Sequence, residues 1–283
     1  MSLKLKSVGS GVKGSSRGWL LFTPAFLFFV VFFLVPLGVM FQESMKSGGE
    51  TYQMVLQSTL YGRIFADTAR VAFLTTIACL LLAYPYAYVL NRVGPRLKLL
   101  LIVLVLMPFW VSLLSRTFAW VGLLQDTGII NSFLQFAGLI SAPLPLIRTP
   151  VGVLIGMVHV LLPYMVLPLM NTMADIDKGQ LQAARSLGAT PLQRFLRVFL
   201  PLSGPGIIAG FVLVFVLSLG FYITPAMLGA PGNMMIGELL IQETQKVGLV
   251  RASALGILLL GGTLVSLGLL AGIWKTFSRK TKS

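Results

Sequence analysis

Long stretches of this chain carry no charged side chain, and their apolar residues follow one another without the polar face of a surface helix. An α-helix needs about 20 such residues to cross the hydrocarbon layer of a membrane. The pattern therefore predicts six transmembrane helices. They span residues 19–40, 71–90, 99–115 with a continuation to about 124, 149–174, 206–222 and 252–274.

One further uncharged stretch, residues 127–147, is open to two interpretations. It contains many turn-forming and polar residues, which favour an external loop with a short helix. These residues are Gly128, Asn131, Ser132, Gln135, Gly138, Ser141, Pro143 and Pro145. A seventh span is the alternative, and it would move the C-terminus to the other side of the membrane.

The composition agrees with a membrane protein, since 56% of the residues are hydrophobic and 11% are charged. A soluble domain carries roughly 25% charged residues. The single Cys79 excludes a disulfide framework within the chain, and the single His159 disfavours a histidine metal site. The net charge of +14 would suit a nucleic-acid partner. In a chain this apolar, it indicates instead that charge is sorted across a membrane.

The basic residues divide unequally between the two sides of the six-span arrangement. Fifteen of the 22 Lys and Arg residues lie on the side that holds both termini and the second and fourth loops, and seven lie on the other. Cytoplasmic loops of membrane proteins are enriched in Lys and Arg. Both termini are therefore predicted to be cytoplasmic, and the charge requires no nucleic acid.

The loop between the fourth and fifth predicted spans, residues 175–201, has a helix–corner–helix pattern. Gly188 follows a helix-permissive segment and is a natural helix stop, because glycine readily takes the left-handed conformation that ends many helices. Thr190 suits an N-cap, Pro191 suits the first helical position, and Gln193 completes a Thr-x-x-Gln capping box.

The second helix of this loop carries an apolar stripe at positions i, i+3, i+4 and i+7, formed by Leu192, Phe195, Leu196 and Phe199. The small residues Ala183 and Ala184 leave a shallow surface on the first helix. Two interpretations remain open on these residues alone. The loop is either an amphipathic segment lying on the inner membrane surface or a docking surface for another protein.

The whole loop resembles the EAA loop of bacterial ABC importer permeases, which are binding-protein-dependent inner-membrane components. The matching residues are Gln182-Ala183-Ala184, Gly188 and Leu200-Pro201, with Pro205-Gly206 following. Gln182 departs from the family, which usually has Glu at this position. The resemblance implies that the loop sits in a cleft of a cytoplasmic ATPase and transmits its closure. The implied coupling residues are Gln182, Ala183, Ala184, Leu187, Gly188, Ala189 and Pro191.

Three further strings resemble spermidine/putrescine-type permeases, and together the resemblance covers the chain from about Arg70 onwards. They are PFWVSLLSRTFAW at 108–120 with Gly128 and Asn131 following, LPYMVLP at 162–168, and YITPAMLG at 222–229. The resemblance implies an all-α membrane protein of the type I ABC importer permease kind, with five core helices and a peripheral first helix. It also implies a second homologous permease subunit, two ATPase subunits and a periplasmic or surface substrate-binding protein as partners in the bacterial inner membrane.

On this basis the chain divides into four parts. A basic cytoplasmic tail (1–18) precedes the first peripheral span with its external loop (19–67). A permease transmembrane domain (68–275) contains the coupling loop at 175–201, and a cytoplasmic tail (276–283) ends the chain. No cofactor is expected on this chain, since ATP and magnesium would be bound by the partner ATPase.

The solute class follows less directly from the residues. All eight acidic residues fall in predicted loops or tails, so no carboxylate is expected at membrane depth to meet a polyamine. Related permeases often carry an acid where Phe221 stands. Arg116 at the outer end of the third span therefore favours a solute with a carboxylate, such as an amino-acid derivative, unless the partner permease supplies the acids. The candidate path residues are Trp110, Ser112, Arg116, Trp120, Phe221 and Tyr222.

The sequence disfavours other functional classes. No Gly-x-x-x-x-Gly-Lys-Ser/Thr string is present, so the chain has no P-loop of its own and is not expected to be an enzyme. An ion-coupled secondary transporter is the alternative, but it would not need a two-helix docking loop. An intramembrane hydrolase would depend on His159 and would lack a Gly-x-Ser-x-Gly elbow, so it is the least favoured class.

Overall fold

A computed structural model of the chain describes residues 16–280, with side chains for residues 23–272 except Lys178 and Pro231. The predicted basic tail (1–18) therefore lies almost wholly outside the described residues. Of the predicted C-terminal tail (276–283), only the helical backbone up to Lys280 is described.

The described residues form helices and contain no β-strand. Two short π-helical segments, Val30–Leu34 and Phe195–Phe199, and two 3₁₀ turns, Met107–Trp110 and Pro231–Asn233, interrupt the α-helices. The α-helices are α1 (Ser16–Phe29), α2 (Val35–Ser44), α3 (Glu50–Gln57), α4 (Thr59–Leu90), α5 (Pro95–Leu106), α6 (Leu113–Leu124), α7 (Ile129–Phe136), α8 (Pro150–Ala174), α9 (Lys178–Ser186), α10 (Pro191–Arg194), α11 (Leu200–Leu202), α12 (Gly204–Leu219), α13 (Ile223–Leu228), α14 (Ile236–Lys246) and α15 (Leu249–Lys280).

Six segments of this bundle are long and apolar enough to cross a membrane when each bent pair of helices is taken as one span. Four are continuous: Thr23–Ser44, Thr59–Leu90, Pro150–Ala174 and Leu249–Gly272. The other two are bent pairs, Pro95–Trp110 with Leu113–Phe136 and Pro191–Leu202 with Gly204–Leu219. The second span begins 12 residues earlier than the pattern of apolar residues predicts, so the predicted domain boundary at residue 68 lies inside α4.

The third span is not the continuous helix expected over 99–124, and that prediction is wrong. The chain bends by 100° between Trp110 and Leu113. Pro108 cannot donate a backbone hydrogen bond and its ring clashes with the preceding turn, so the helix tightens into a 3₁₀ turn and stops. Val111 and Ser112 then take extended backbone angles before α6 begins.

The uncharged stretch 127–147 forms a short helix followed by irregular chain, as the loop interpretation predicts. Asn131 organises this loop although it is fully buried. Its side-chain amide donates to the carbonyl oxygens of Gln125 (3.3 Å) and Leu144 (3.0 Å), and its Oδ1 accepts from the Leu144 N–H (2.8 Å). A seventh span is absent from the described residues.

The core lies where α4, α8 and α12 pack together. Glycines on α12 permit this approach, because a Cβ on Gly206 would lie 2.9 Å from the Pro168 carbonyl oxygen and one on Gly210 would lie 2.6 Å from the Met165 sulfur. The first span is peripheral. None of its most apolar window is buried, and α2 packs against α15. This arrangement agrees with the peripheral first helix that the resemblance implies.

Candidate coupling loop and solute path

The coupling loop, residues 175–201, turns its corner at Gly188. The Asp177 carboxylate caps the start of α9 by accepting from the Gly179 N–H at 2.8 Å. Gly188 has φ 81°, which is the left-handed conformation expected for a helix-ending glycine. The Gly188 N–H donates to the Arg185 carbonyl oxygen (2.9 Å) and the Ala189 N–H donates to that of Ala184 (3.1 Å). These two bonds form a Schellman motif, so backbone hydrogen bonds fix the corner.

The predicted capping box is present on the far side of the corner. The Gln193 side chain accepts from the Thr190 N–H at 3.0 Å, and the Thr190 hydroxyl accepts from the Gln193 N–H at 3.3 Å. Pro191 occupies the first turn of α10, where its missing N–H costs no hydrogen bond. Both ends of the corner are therefore held by local interactions that need no partner protein.

Most of the predicted coupling residues at the corner are exposed on the surface of the bundle. Gln182, Ala183, Gly188 and Pro191 are exposed, whereas Ala184 and Ala189 are half-buried. Leu187 is 88% exposed although it is a large aliphatic residue. The backbone-bonded corner therefore holds a large apolar side chain out from the end of the bundle.

Aromatic side chains anchor the opposite face of the loop to the bundle. Phe195 stands edge-to-face with Tyr84 (6.0 Å between ring centroids) and Tyr88 (5.8 Å), and Phe199 packs against Tyr88 at 5.1 Å. The Tyr84 hydroxyl also shares a 2.9 Å hydrogen bond with the hydroxyl of Ser203. The loop is therefore packed directly on the last turns of α4.

The predicted apolar stripe is only half correct, because Phe195 and Phe199 pack inward while Leu192 and Leu196 are exposed. The π-helical segment 195–199 follows α10 and changes the angular spacing of the side chains. The sequence reasoning also missed Tyr84 and Tyr88 as anchors. Their i, i+4 spacing was the available signal, since it places both rings on one face of α4.

Arg116 lies on α6, half-buried inside the bundle. Its Nε and Nη1 atoms are buried and have no hydrogen-bond partner among the described residues. The guanidinium lies within electrostatic range of Tyr164 and His159, both on α8. Two buried guanidinium nitrogens without a partner are costly, so this position favours an anionic or hydrogen-bond-accepting group from outside the chain.

Two polar contacts hold α6 beside its neighbours. The Trp120 indole N–H donates to His159 Nδ1 at 3.1 Å, so Nδ1 carries no proton in this arrangement. The Thr117 and Thr224 hydroxyls lie 3.4 Å apart and join α6 to α13. The histidine is thus an interhelical hydrogen-bonding residue, as is common within membrane bundles.

The other candidate path residues occupy different surroundings. Trp110 is 78% exposed at the break of the third span, and Ser112 is exposed beside it. Phe221 is half-buried against the core, and Tyr222 is 36% exposed just before α13. Direct ring contacts among Trp110, Trp120, Phe221 and Tyr222 are absent from the described residues. Their assignment to a solute path remains a prediction.

The acidic side chains lie near span ends, in loops or on short helices outside the spans. The sequence predicts all acidic residues in loops or tails, but Glu43 and Asp67 lie within helices. Each is close to one end of its span. Asp175 and Asp177 are in the coupling loop, and Glu238 and Glu243 are on α14. Arg116 therefore has no carboxylate among the described residues that ion-pairs with it.

The fold is that of a multi-span helical membrane protein with an exposed helix–corner–helix loop at one end of its bundle. The family model for the binding-protein-dependent transport system inner membrane component matches residues 87–279. The chain belongs to this family of ABC importer permeases.

Similar proteins support this assignment. The spermidine/putrescine transport system permease protein PotB of Haemophilus influenzae is 38% identical over 188 residues, which cover 66% of each chain. PotB of Escherichia coli K12 is 38% identical over 185 residues, covering 65% of this chain and 67% of PotB. The chain thus matches about two thirds of the length of these relatives.

Solved structures show the same fold. The crystal structure of a bacterial alginate ABC transporter, in complex with an alginate-pentasaccharide-bound periplasmic protein, contains a chain that superposes with a TM-score of 0.72. The match covers 90% of this chain and 93% of the other at 19% identity. At this identity the likeness concerns the fold of the transmembrane bundle.

Proposed function

We propose that this chain is one permease subunit of an ATP-driven importer in the bacterial inner membrane. It pairs with a second homologous permease, rests on two ATPase subunits and receives solute from a binding protein. The observation that carries the proposal is the corner around Gly188, which is fixed by its own backbone bonds and exposes Leu187. A rigid exposed corner on one face and an aromatic anchor on the other suit a segment that transmits movement from one protein to another.

In this function the chain is not catalytic. ATP and magnesium are bound by the partner ATPase, and solute passes without a covalent step. An ion-coupled secondary transporter would instead depend on ionisable groups near the membrane midplane. Within the described spans Arg116 and His159 are placed inside the bundle, and the Trp120 hydrogen bond already occupies one nitrogen of His159.

The experiment is uptake and ATP hydrolysis by the complete transporter in proteoliposomes. Uptake should require ATP on the side of the membrane that holds the coupling loop and the ATPase subunits. It should persist when ion gradients across the membrane are collapsed. Ala183→Glu puts a charge on the exposed corner and should abolish solute-stimulated ATP hydrolysis. Ala137→Glu is the matched control, since Ala137 is also exposed but follows α7 at the other end of the third span. Uptake driven by an ion gradient without ATP would overturn the proposal.

The proposed orientation places both termini and the coupling loop in the cytoplasm, on the basis of the unequal distribution of Lys and Arg. Cysteine labelling in intact cells tests it, after replacement of the buried Cys79. A cysteine at position 280 should react only after the membrane is permeabilised. External labelling at that position contradicts the orientation.

For the solute, we propose a small organic amine of the polyamine class. The identity of 38% to the PotB permeases supports this class. Exposed aromatic faces such as Trp110 and Tyr222 can attract ammonium groups through cation–π contacts of roughly 0.5–2 kcal/mol each. Carboxylates from the second permease would supply the remaining stabilisation of a multiply charged cation.

A second solute class is favoured by Arg116, whose buried Nε and Nη1 atoms have no partner among the described residues. An amine that also bears a carboxylate, such as an ω-amino acid, would bring an acceptor to this guanidinium. Uptake competition with putrescine, spermidine and a series of ω-amino acids distinguishes the two classes. Loss of ω-amino-acid uptake in Arg116→Gln supports the second class, whereas polyamine-only uptake that survives this substitution eliminates it.

A further inference from the structure

A cavity of about 160 Å³ lies between the end of α4 and the coupling loop. One water molecule takes up about 30 Å³, so the cavity has room for a group several times larger. Its lining combines two arginines with aromatic and aliphatic side chains. These residues are Tyr88, Arg92, Leu181, Pro191, Arg194, Phe195 and Phe199.

The cavity is positively charged and lacks a compensating acid. Arg92 comes from just beyond α4 and lies over the Tyr88 ring, 4.0 Å from its centroid. Arg194 comes from the end of α10, and its buried Nε has no hydrogen-bond partner among the described residues. None of the lining residues is acidic. Asp177, on the same loop, already caps the start of α9. Two guanidinium groups facing one space favour an anionic ligand.

Exposed aliphatic side chains adjoin the lining residues of the cavity in the sequence. Val89 precedes the end of α4 and is 45% exposed, and Leu192 and Leu196 flank the arginine-bearing segment at 65% and 49% exposure. The cavity also lies level with the end of the second span at Leu90. A basic space beside exposed aliphatic side chains at the end of a membrane span matches the division of a phospholipid into headgroup and acyl chain.

We propose that Arg92 and Arg194 together bind the phosphate of an anionic phospholipid from the leaflet on the coupling-loop side. The guanidinium groups hold the phosphate oxygens, and the acyl chains lie against Val89, Leu192 and Leu196. This site goes beyond the solute path and rests on the membrane setting of the proposed function. A lipid held here joins α4 to the coupling loop, so it also stabilises the packing of Phe195 and Phe199 against Tyr88.

The first test measures retained lipid. The complete transporter is reconstituted into nanodiscs of phosphatidylcholine with or without phosphatidylglycerol. It is then released from the nanodiscs, and the lipid molecules that stay bound to it are counted by native mass spectrometry. Arg92→Gln/Arg194→Gln should lower the affinity for phosphatidylglycerol about 25-fold, since each basic side chain near the surface contributes roughly fivefold. Arg197→Gln is the matched control. It removes the same charge from the same loop, but Arg197 is exposed and does not line the cavity.

The second test separates other ligands. Thermal unfolding is followed in phosphatidylcholine nanodiscs with added inorganic phosphate or added phosphatidylglycerol. The proposal is supported if phosphatidylglycerol raises the unfolding temperature of the wild type and this rise is lost in the double variant. Equal stabilisation by inorganic phosphate alone would assign the cavity to a soluble anion and overturn it. Unchanged lipid retention in the double variant, with loss of coupled ATP hydrolysis, would also overturn it and assign the arginines to a carboxylate of the ATPase.

Discussion

Replacement of Gly188 by valine tests whether the corner of the coupling loop must keep its left-handed turn. At φ 81° the backbone forms the two bonds from Gly188 and Ala189 that close the end of α9. A residue that prefers another conformation would break these bonds and turn Leu187 away from its present direction. The expected result is loss of coupling without loss of insertion into the membrane.

The magnitude follows from the surroundings of Gly188. A Cβ built at this position meets no heavy atom within 4 Å, so a side chain causes no overlap within the chain. The cost is therefore one of backbone conformation, about 1–3 kcal/mol for a residue held in a sparsely populated region. Branching at Cβ puts valine toward the upper end. At tenfold for each 1.4 kcal/mol, the native corner becomes roughly 5- to 150-fold less favoured against its alternatives.

The assay is solute-stimulated ATP hydrolysis by the reconstituted complex, with membrane insertion checked separately. Gly188→Asn is the control for bulk, because asparagine is close to valine in size but tolerates the left-handed region. We expect valine to lose most of the stimulation and asparagine to keep most of it. Wild-type stimulation in the valine variant would refute the argument. Equal loss in both variants would show that bulk at the docking surface, rather than backbone strain, is responsible.

Three further predictions concern stability and are measured by thermal unfolding in detergent or nanodiscs. Asn131→Ala removes three hydrogen bonds of a fully buried side chain and should destabilise the fold by about 1–3 kcal/mol, whereas the exposed Gln135→Ala should change little. Gly206→Ala should also destabilise by about 1–3 kcal/mol, since its Cβ would meet a backbone oxygen, while Gly262→Ala faces open space on α15 and should be neutral or stabilising. Burial raises the pKa of the Glu238 carboxyl, which lies on α14 outside the spans, above the ordinary glutamate pKa of about 4.3. Ionisation of this carboxyl therefore disfavours the folded state, and the free energy of unfolding falls as the pH rises above that ordinary value. Glu238→Gln should therefore gain stability over the wild type at neutral pH and lose this advantage at roughly pH 4; an advantage independent of pH would contradict the assignment.

The local features of the coupling loop were predictable because short-range chemistry sets them. A glycine that ends a helix, followed by Thr-Pro and a glutamine three residues after the threonine, specifies the corner and the capping box without help from the rest of the chain. Both are present, with φ 81° at Gly188 and both reciprocal bonds between Thr190 and Gln193. The direction of the second helix was harder to predict. The π-helical segment at 195–199 changes the register, and packing against Tyr84 and Tyr88 selects two of the four apolar residues.

The sequence by itself determined the class of protein and the family, because long uncharged apolar runs and contiguous family strings can be recognised without the fold. It did not determine which faces of the spans meet protein and which meet lipid, since both surroundings are apolar and leave the same pattern. The 100° break before α6, the burial of Asn131 and the meeting of Arg92 with Arg194 were decided only by the tertiary structure. The burial of Asn131 and the shared cavity of the two arginines depend on residues that are far apart in the chain. The break depends on Pro108, because a proline either kinks a helix or ends it according to what packs around it.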